Sequence, residues 1–205
     1  MVIARCADAD DVSAVLRFAI DSGLPVSVRG GGHNVAGQAL ADGAVLIDLS
    51  LMRHVEVDRM RRVAEAGGGC LLRDLDRATT PYGLACPIGI VSHTGLGGLA
   101  LGGGYGWLAR KWGLTCDHIV SARIVLADGS IVEASDASHQ DLLWGLRGGG
   151  GNFGVVTRFT LRLRPVGPMR HRVAAYPIDA APDVMETWRS FAPRQVDGVH
   201  VMLSF

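Results

Sequence analysis

Arg29-Gly30-Gly31-Gly32-His33-Asn34 puts a guanidinium, three residues without a Cβ and an imidazole on one short stretch of chain. Consecutive glycines let a backbone take positive φ and come close against a ligand. Successive N–H groups in such a turn can converge into an anion-binding nest, and the Arg29 fork suits a phosphate. His33 then stands at the exit of a phosphate cradle, where the ring system of a cofactor can lie against it. A tight glycine turn carrying a surface histidine fits the same residues. Two further glycine-rich stretches bear on the choice: His93-Thr94-Gly95-x-Gly97-Gly98-x-x-x-Gly102-Gly103-Gly104-x-Gly106, and Gly148 to Gly154.

These stretches need strands and helices to hold them. Leu24 to Val28 is an apolar run that reads as the strand entering the first glycine turn. Val2 to Arg5 reads as an earlier strand, and Asp8 or Asp10 can cap the helix after it. Val12, Val15, Leu16, Ala19 and Ile20 fall at i, i+3, i+4, i+7 and i+8 of that helix, and Gly23 ends it. Strand, helix and strand in this order predict a right-handed parallel βαβ unit. Val45 to Leu49 is the next strand, and His54 to Asp58 with Arg61 to Ala66 form a hairpin around Arg59-Met60. Gly67-Gly68-Gly69 leads into a helix from about Leu71 to Thr79. Ile119 to Leu126 and Ile131 to Ala134 flank Ala127-Asp128-Gly129, a hairpin signal. A short helix at Ser138 to Leu146 runs into the last glycines, and Val155 to Leu163 is a strand. Beyond Pro165 and Pro168, a strand at Val173 to Tyr176, a helix around Val184 to Phe191 and a strand at Val199 to Phe205 open a new unit.

Composition narrows the class. The 205 residues carry 20 basic and 20 acidic side chains, with 48% apolar residues, so a sizeable core forms. Lys111 is the one lysine and the arginines are scattered, which excludes the basic stripe of a nucleic-acid partner. Cys6, Cys70, Cys86 and Cys116 show neither a CxxC pair nor zinc-type spacing, so they read as buried thiols and no metal is expected. Asp8, Asp10 and Asp11 interrupt any signal-peptide core. The uncharged run from Ala78 to Ala109 is broken by prolines, His93 and glycines and does not read as a membrane span. A cytoplasmic, soluble protein is the expectation.

Gly149-x-Gly151-x-x-Gly154 matches the dinucleotide fingerprint by letter but not by context. The fingerprint needs a strand before and a helix after, so that pyrophosphate meets a helix N-terminus. Here a helix precedes and a strand follows. That inversion counts against a nicotinamide-dependent dehydrogenase. Glycine clusters spread over several loops suit a long cofactor better than a nucleotide held in one.

Four motifs occur together and in order: Arg29-Gly-Gly-Gly-His33-Asn34, Gly95-x-Gly-Gly-x-x-x-Gly-Gly-Gly-x-Gly106, Arg110-Lys111-Trp112-Gly113-Leu114 and Gly149-Gly-Gly-Asn-Phe-Gly154. On these the chain resembles the FAD-binding domain of the vanillyl-alcohol-oxidase/PCMH-type flavoproteins, particularly the berberine-bridge-enzyme-like oxidoreductases. The resemblance covers roughly Val2 to Val166. It implies an α+β fold: a PCMH-type FAD-binding domain of two α/β subdomains over residues 1–167, followed by the start of an α+β substrate domain at 168–205. It also implies that His33 is the histidine bonded to the flavin 8α-methyl.

By the same resemblance, the backbone around Arg29, Gly30, Gly31 and Gly32 holds the pyrophosphate, and Asn34 belongs to the same cofactor-binding stretch. His93, Thr94, Gly95, Gly97, Gly98, Gly102, Gly103, Gly104 and Gly106 run along the flavin and diphosphate, and Gly151, Gly154 and Val156 lie near the adenosine part. His93 also fits a capping or core role before a helix start. Tyr105, Trp107 and Trp112 fit either the ring region or the core, and Arg110-Lys111 either phosphate or solvent. Some relatives of this type hold FAD a second time through a cysteine at flavin C6. Counting back from Gly97-Gly98 puts that slot at Val91, five residues after Cys86, so a single linkage is expected.

The implied activity is an FAD-dependent oxidoreductase, an oxidase taking hydride from a small alcohol, sugar or amine-like substrate and passing electrons to dioxygen. The alternative is an FAD-binding fragment or module without turnover. The short segment after Pro168 reads as the beginning of a truncated substrate domain, and no residue in hand is assigned as the catalytic base.

Overall fold

Strand β1 (Val2–Arg5) leads into helix α1 (Ala9–Asp21), whose start is fixed by Asp8. The Asp8 carboxylate accepts the Asp11 N–H at 2.9 Å and satisfies one of the donors a helix leaves open in its first turn. Strands β2 (Val26–Arg29) and β3 (Val45–Asp48) follow in this computed structural model, which describes residues 2–204. β1 and β2 both pair parallel with β3, which lies between them. The unit is therefore parallel as the strand–helix–strand order predicts, with β3 inserted at its centre. β3 is buried along its whole length because both of its edges are paired. Val12, Leu16 and Ala19 of α1 are buried, while Ile20 in the last turn is exposed.

The second layer is antiparallel. β4 (Val55–Asp58) and β5 (Val63–Gly67) make the expected hairpin. Helix α2 (Leu72–Thr79), the two-residue strand β6 (Leu84–Ala85), helices α3 (Leu96–Leu101) and α4 (Ala109–Trp112) come next. β7 (Ile119–Val125) and β8 (Ile131–Ser135) form the second hairpin, followed by α5 (Gln140–Leu146) and β9 (Val155–Arg162). These strands order as β4-β5-β9-β7-β8. β10 (Arg164–Pro165) pairs with β6 as a two-stranded ribbon.

Each face of this sheet has its own chemistry. Ala64, Ala122, Ala134, Phe159 and Leu161 turn inward onto Leu72, Leu75, Leu96, Leu143 and Leu146 from the helices. Outward, Arg158 on β9 bridges Glu65 on β5 at 3.3 Å and Glu133 on β8 at 3.4 Å. The two subdomains meet through α1: Val12 and Leu16 share a cluster with Ile47 and Leu49 from one sheet and Val125 and Val155 from the other. Ser13 Oγ donates to the Gly129 carbonyl at 2.5 Å and ties α1 to the β7–β8 turn.

After Pro165 the helix expected around Val184 to Phe191 is present as α6 (Ala181–Phe191). The strands expected at Val173 to Tyr176 and from Val199 are absent among the described residues, and Phe205 lies outside them. A strand needs a neighbour to take up its N–H and C=O groups, and neither segment is offered one. Val173 and Tyr176 are exposed.

Candidate functional site

A cavity of about 950 Å³ opens where the three glycine-rich loops converge. Gly30, Gly31, Gly32, His33 and Asn34, leaving β2, form one wall. Thr94, Gly95, Gly97, Gly98, Gly102 and Gly104, from α3 and the loops at its two ends, form the second. Gly151, Gly154 and Val156, entering β9, form the third.

Gly31 and Gly95 explain how two of these loops come together. A Cβ built on Gly31 would collide with the backbone N and Cα of Gly95, and one on Gly95 would collide with Gly31 N. The two backbones touch because neither carries a side chain. The loop ahead of Gly95 is held in turn by α2. Its Leu72 and Arg73 N–H groups, open donors at a helix N-terminus, bond to the Thr94 and Ser92 carbonyls at 3.0 and 2.9 Å. Leu96 N–H donates to Cys70 C=O at 2.8 Å. Asp74 secures the start of α2 by accepting Leu71 N–H at 2.8 Å and both Arg53 donors at 2.7 and 2.9 Å. Burial raises the Asp74 pKa, but the Arg53 and Leu71 hydrogen bonds together with the nearby guanidinium charges outweigh it, so the carboxyl sits below its ordinary value.

At the mouth of the cavity the two histidines meet. His33 Nε2 lies 2.6 Å from His93 Nδ1, with ring centroids 4.6 Å apart. Both rings are exposed, so His93 is not a core residue, and the N-cap of α3 is Gly95, so it is not that helix's cap. It does not line the cavity itself but backs the histidine that does.

Three other predicted residues also stand off the cavity wall. Arg29 Nη1 is 3.4 Å from the Asp48 Oδ2, its register partner on β3. Asp48 is buried, and a buried carboxylate is costly unless paired, so Arg29 offsets that charge through Nη1 from beside the cavity. Gly106 packs against the Ile88 carbonyl, where a Cβ would clash, and Gly103 turns the chain at φ +109°. Both are glycines for the fold.

The remaining candidates separate clearly. Cys86 is buried in the core, and its thiol is pushed up to about 12 by burial, with Asp76 adding to it. Tyr105 and Trp107 are exposed and both pack against His200, Tyr105 tilted and Trp107 edge-on. Arg110 donates to the carbonyls of Ala192, at 2.8 Å, and Gln195, so it fastens the segment after α6 instead of meeting phosphate. Lys111 lies over the Trp112 ring, 4.9 Å from its centroid.

The cavity wall also contains residues that sequence reasoning missed. Gly68, from the triplet read only as a helix lead-in, lines it. So does Ser27 on β2, which is buried and has no hydrogen-bond partner for Oγ among the described residues. A small polar residue between two valines, three positions before the first glycine of the turn, was the available signal. Gly98 and Gly151 are a further clue. Neither has positive φ, and a Cβ on either would meet nothing within 4 Å. Packing within the fold does not demand glycine there; open space over the backbone is what these positions provide.

Three glycine loops around one cavity, with a histidine on its wall and a parallel and an antiparallel sheet in the same domain, are the arrangement of a cofactor-binding domain. The chain belongs to the FAD binding domain family, whose model matches residues 1–135. It is 43% identical over 162 residues to (R)-6-hydroxynicotine oxidase of Paenarthrobacter nicotinovorans, covering 79% of this chain and 35% of that protein. Glucooligosaccharide oxidase from Acremonium strictum, described with a 6-S-cysteinyl, 8α-N1-histidyl FAD, superposes with TM-score 0.75 at 36% identity, over 78% of this chain and 34% of that one. BBE-like 1 of Physcomitrella patens gives TM-score 0.75 at 30% identity, over 79% and 36%. The fold is thus the α+β PCMH-type architecture that the motifs implied. The chain spans about a third of the length of the curated relatives it matches. No helix among the described residues is long and apolar enough to cross a membrane.

Proposed function

We propose that the cavity binds FAD, with His33 bonded to the flavin 8α-methyl, and that the protein is an oxidase of a small alcohol, sugar or amine-like molecule. The observation that carries this reading is the set of groups facing open space: Gly98 and Gly151 with nothing over their Cα atoms, and Ser27 Oγ buried without a partner. A polyhydroxylated diphosphate cofactor supplies acceptors and donors for such a wall, and glycine backbone can approach it closely. When bound, FAD supplies hydride acceptance at N5 and reoxidation by dioxygen.

The protein residues do the rest. Gly30 to Gly32 and Gly97-Gly98 would hold the diphosphate through backbone, and Gly151, Gly154 and Val156 would take the adenosine side. His33 fixes the ring end, since a neutral imidazole nitrogen is a competent nucleophile near pH 7. Leu99, Leu101 and Phe159 would give the wall an apolar stretch. Cys86, buried and protonated, takes no part. Residues 168–205 would begin a substrate domain beyond the FAD-binding domain of residues 1–167.

One observation favours a second reading for these residues taken alone. His33 is the single titratable side chain lining the cavity among the described residues. No separate acid–base group is available there for a substrate proton, which fits an FAD-binding module without turnover.

Titration of FAD into flavin-free chain, followed by flavin fluorescence, tests the cofactor site. Gly98→Leu fills the open space over α3 and is expected to abolish binding while leaving the thermal midpoint within about 2 °C, a shift below 1 kcal/mol for a chain of this length. Binding by Gly98→Leu equal to wild type would defeat the placement. Oxygen consumption with alcohols, sugars and amines then separates the two readings: saturable turnover rejects the module.

A further inference from the structure

We propose that a second cavity, between α4 and the segment around α6, binds a small organic ammonium ion through aromatic rings and the Asp117 carboxylate. The cavity measures about 440 Å³, a volume typical of small-molecule sites, which favour the junctions between units of a fold. Tyr105, Leu114 and Asp117 border it from the FAD-binding domain, and Trp188, His200 and Val201 from the segment after Pro165. Tyr105 is 63% exposed and Trp188 38% exposed, so neither ring is spent in the core.

The charges on the wall decide the sign of the ligand. Asp117 is held in place before any ligand arrives, because Oδ2 accepts Leu114 N–H at 2.8 Å. Gly113 makes room for that carboxylate, since a Cβ there would lie 2.6 Å from Oδ2. Among the described residues no cationic side chain forms an ion pair with Asp117. The two cations of α4 are committed elsewhere. Arg110 borders the cavity, but its Nη1 and Nη2 donate to the Ala192 and Gln195 carbonyls, so it builds the wall. Lys111 lies over the Trp112 ring, using the attraction of a cation to an aromatic face that the cavity offers a ligand. One fixed carboxylate and a set of rings are left open, and quaternary ammonium ions are the ligands such sets recognise. An anion would instead face the Asp117 charge while Arg110 is turned to carbonyls.

This site is separate from the flavin reading. The two cavities share no lining residue, although Tyr105 directly follows Gly104 on the wall of the larger one. A carboxylate fixed in advance also lowers the ordering cost of binding.

The test titrates choline into the flavin-free chain at low ionic strength and pH 8 by calorimetry. Its uncharged carbon isostere, 3,3-dimethylbutan-1-ol, and sodium chloride are the controls. Choline is expected to bind saturably and about tenfold tighter than the alcohol. Asp117→Asn keeps an oxygen for Leu114 N–H and removes the charge, so it should weaken choline about tenfold and leave the alcohol unchanged. Tyr105→Leu and Trp188→Leu, one on each wall, should each weaken choline by about 3–30-fold. Circular dichroism checks their folding, and if Trp188→Leu releases α6, Tyr105→Leu on the opposite wall carries the test. Absence of saturable choline binding overturns the proposal. So does equal binding of choline and the alcohol, or full choline affinity in Asp117→Asn, either of which reduces the cavity to an apolar gap. Choline displaced by FAD would merge the two sites and overturn it as well. Failure of the chain to bind FAD, with choline bound as expected, would remove the flavin reading alone.

Discussion

Gly31→Ala tests how tightly the two cofactor loops are locked. The methyl would meet Gly95 N and Cα, which are backbone atoms with no rotamer to retreat into. Gly31 is not in the positive-φ region, so the cost is steric and not conformational. Overpacking of this kind costs about 1–3 kcal/mol, and rigid backbone on the far side argues for the upper end, about 3 kcal/mol. A chain of this length loses roughly 2–4 °C per kcal/mol, so the thermal midpoint should fall by about 6–12 °C. Gly95→Ala attacks the same contact from the other side and should cost a similar amount. The double variant should cost clearly less than the sum, because one separation of the loops accommodates both methyls. Urea unfolding gives the energies, with an unchanged m-value marking a change in stability alone. Two single variants within about 0.5 kcal/mol of wild type, the range of unremarkable surface substitutions, would show that the loops slide freely and would remove the basis for a fixed His33–His93 geometry.

Other outcomes follow from the same structure. Asp74→Asn removes the ion pair with Arg53 and weakens the bond to Leu71 N–H, and should cost about 1–2 kcal/mol at pH 7 after allowing for the exposed side of the pair. Because the Asp74 pKa is lowered in the folded state, its contribution is complete above the unfolded value and is lost as pH falls through the folded one, so wild type and variant should converge in acid. His118 is buried, and that burial lowers its pKa against the opposing Leu114 carbonyl. Its contribution is present above the unfolded value near 6.5 and is lost as pH falls through the lower folded value, so His118→Gln should flatten the decline in stability on the acid side of 6.5. Cys86 should resist alkylation in the native chain at pH 8 and react fully after unfolding, since only the thiolate attacks and its pKa stands at about 12; rapid native labelling would contradict its burial.

Much of this was legible from residue patterns. Asp8 and the i, i+3, i+4 spacing of Val12, Val15 and Leu16 marked α1, and Ala127-Asp128-Gly129 marked the β7–β8 turn, because caps and tight turns depend on local chemistry. The three cavity walls were visible as glycine clusters. What sequence concealed was long-range. Val45 to Leu49 reads as one more strand, yet β3 lies between β1 and β2, an order no local signal encodes. The two-residue strands at Leu84–Ala85 and Arg164–Pro165 and the single turn at Ala109–Trp112 are too short to show a period. Arg29 matched a phosphate ligand by type, and its pairing with Asp48, a partner 19 residues away, was not visible. Gly98, Gly103 and Gly106 look alike in the sequence; their surroundings separate an open wall, a turn and a packed contact. His33 and His93 are 60 residues apart, and only the meeting of Gly31 with Gly95 makes them a pair.

The covalent attachment through His33 is tested most directly by the intact mass of the chain after incubation with FAD and acid precipitation. Wild type should carry the mass of one FAD, and peptide mapping should place it on the peptide containing His33 and not on that containing Cys86. His33→Ala should bind FAD and release all of it in acid. A wild-type chain that binds FAD yet returns to its sequence mass after acid, or an adduct that survives in His33→Ala, would contradict the account.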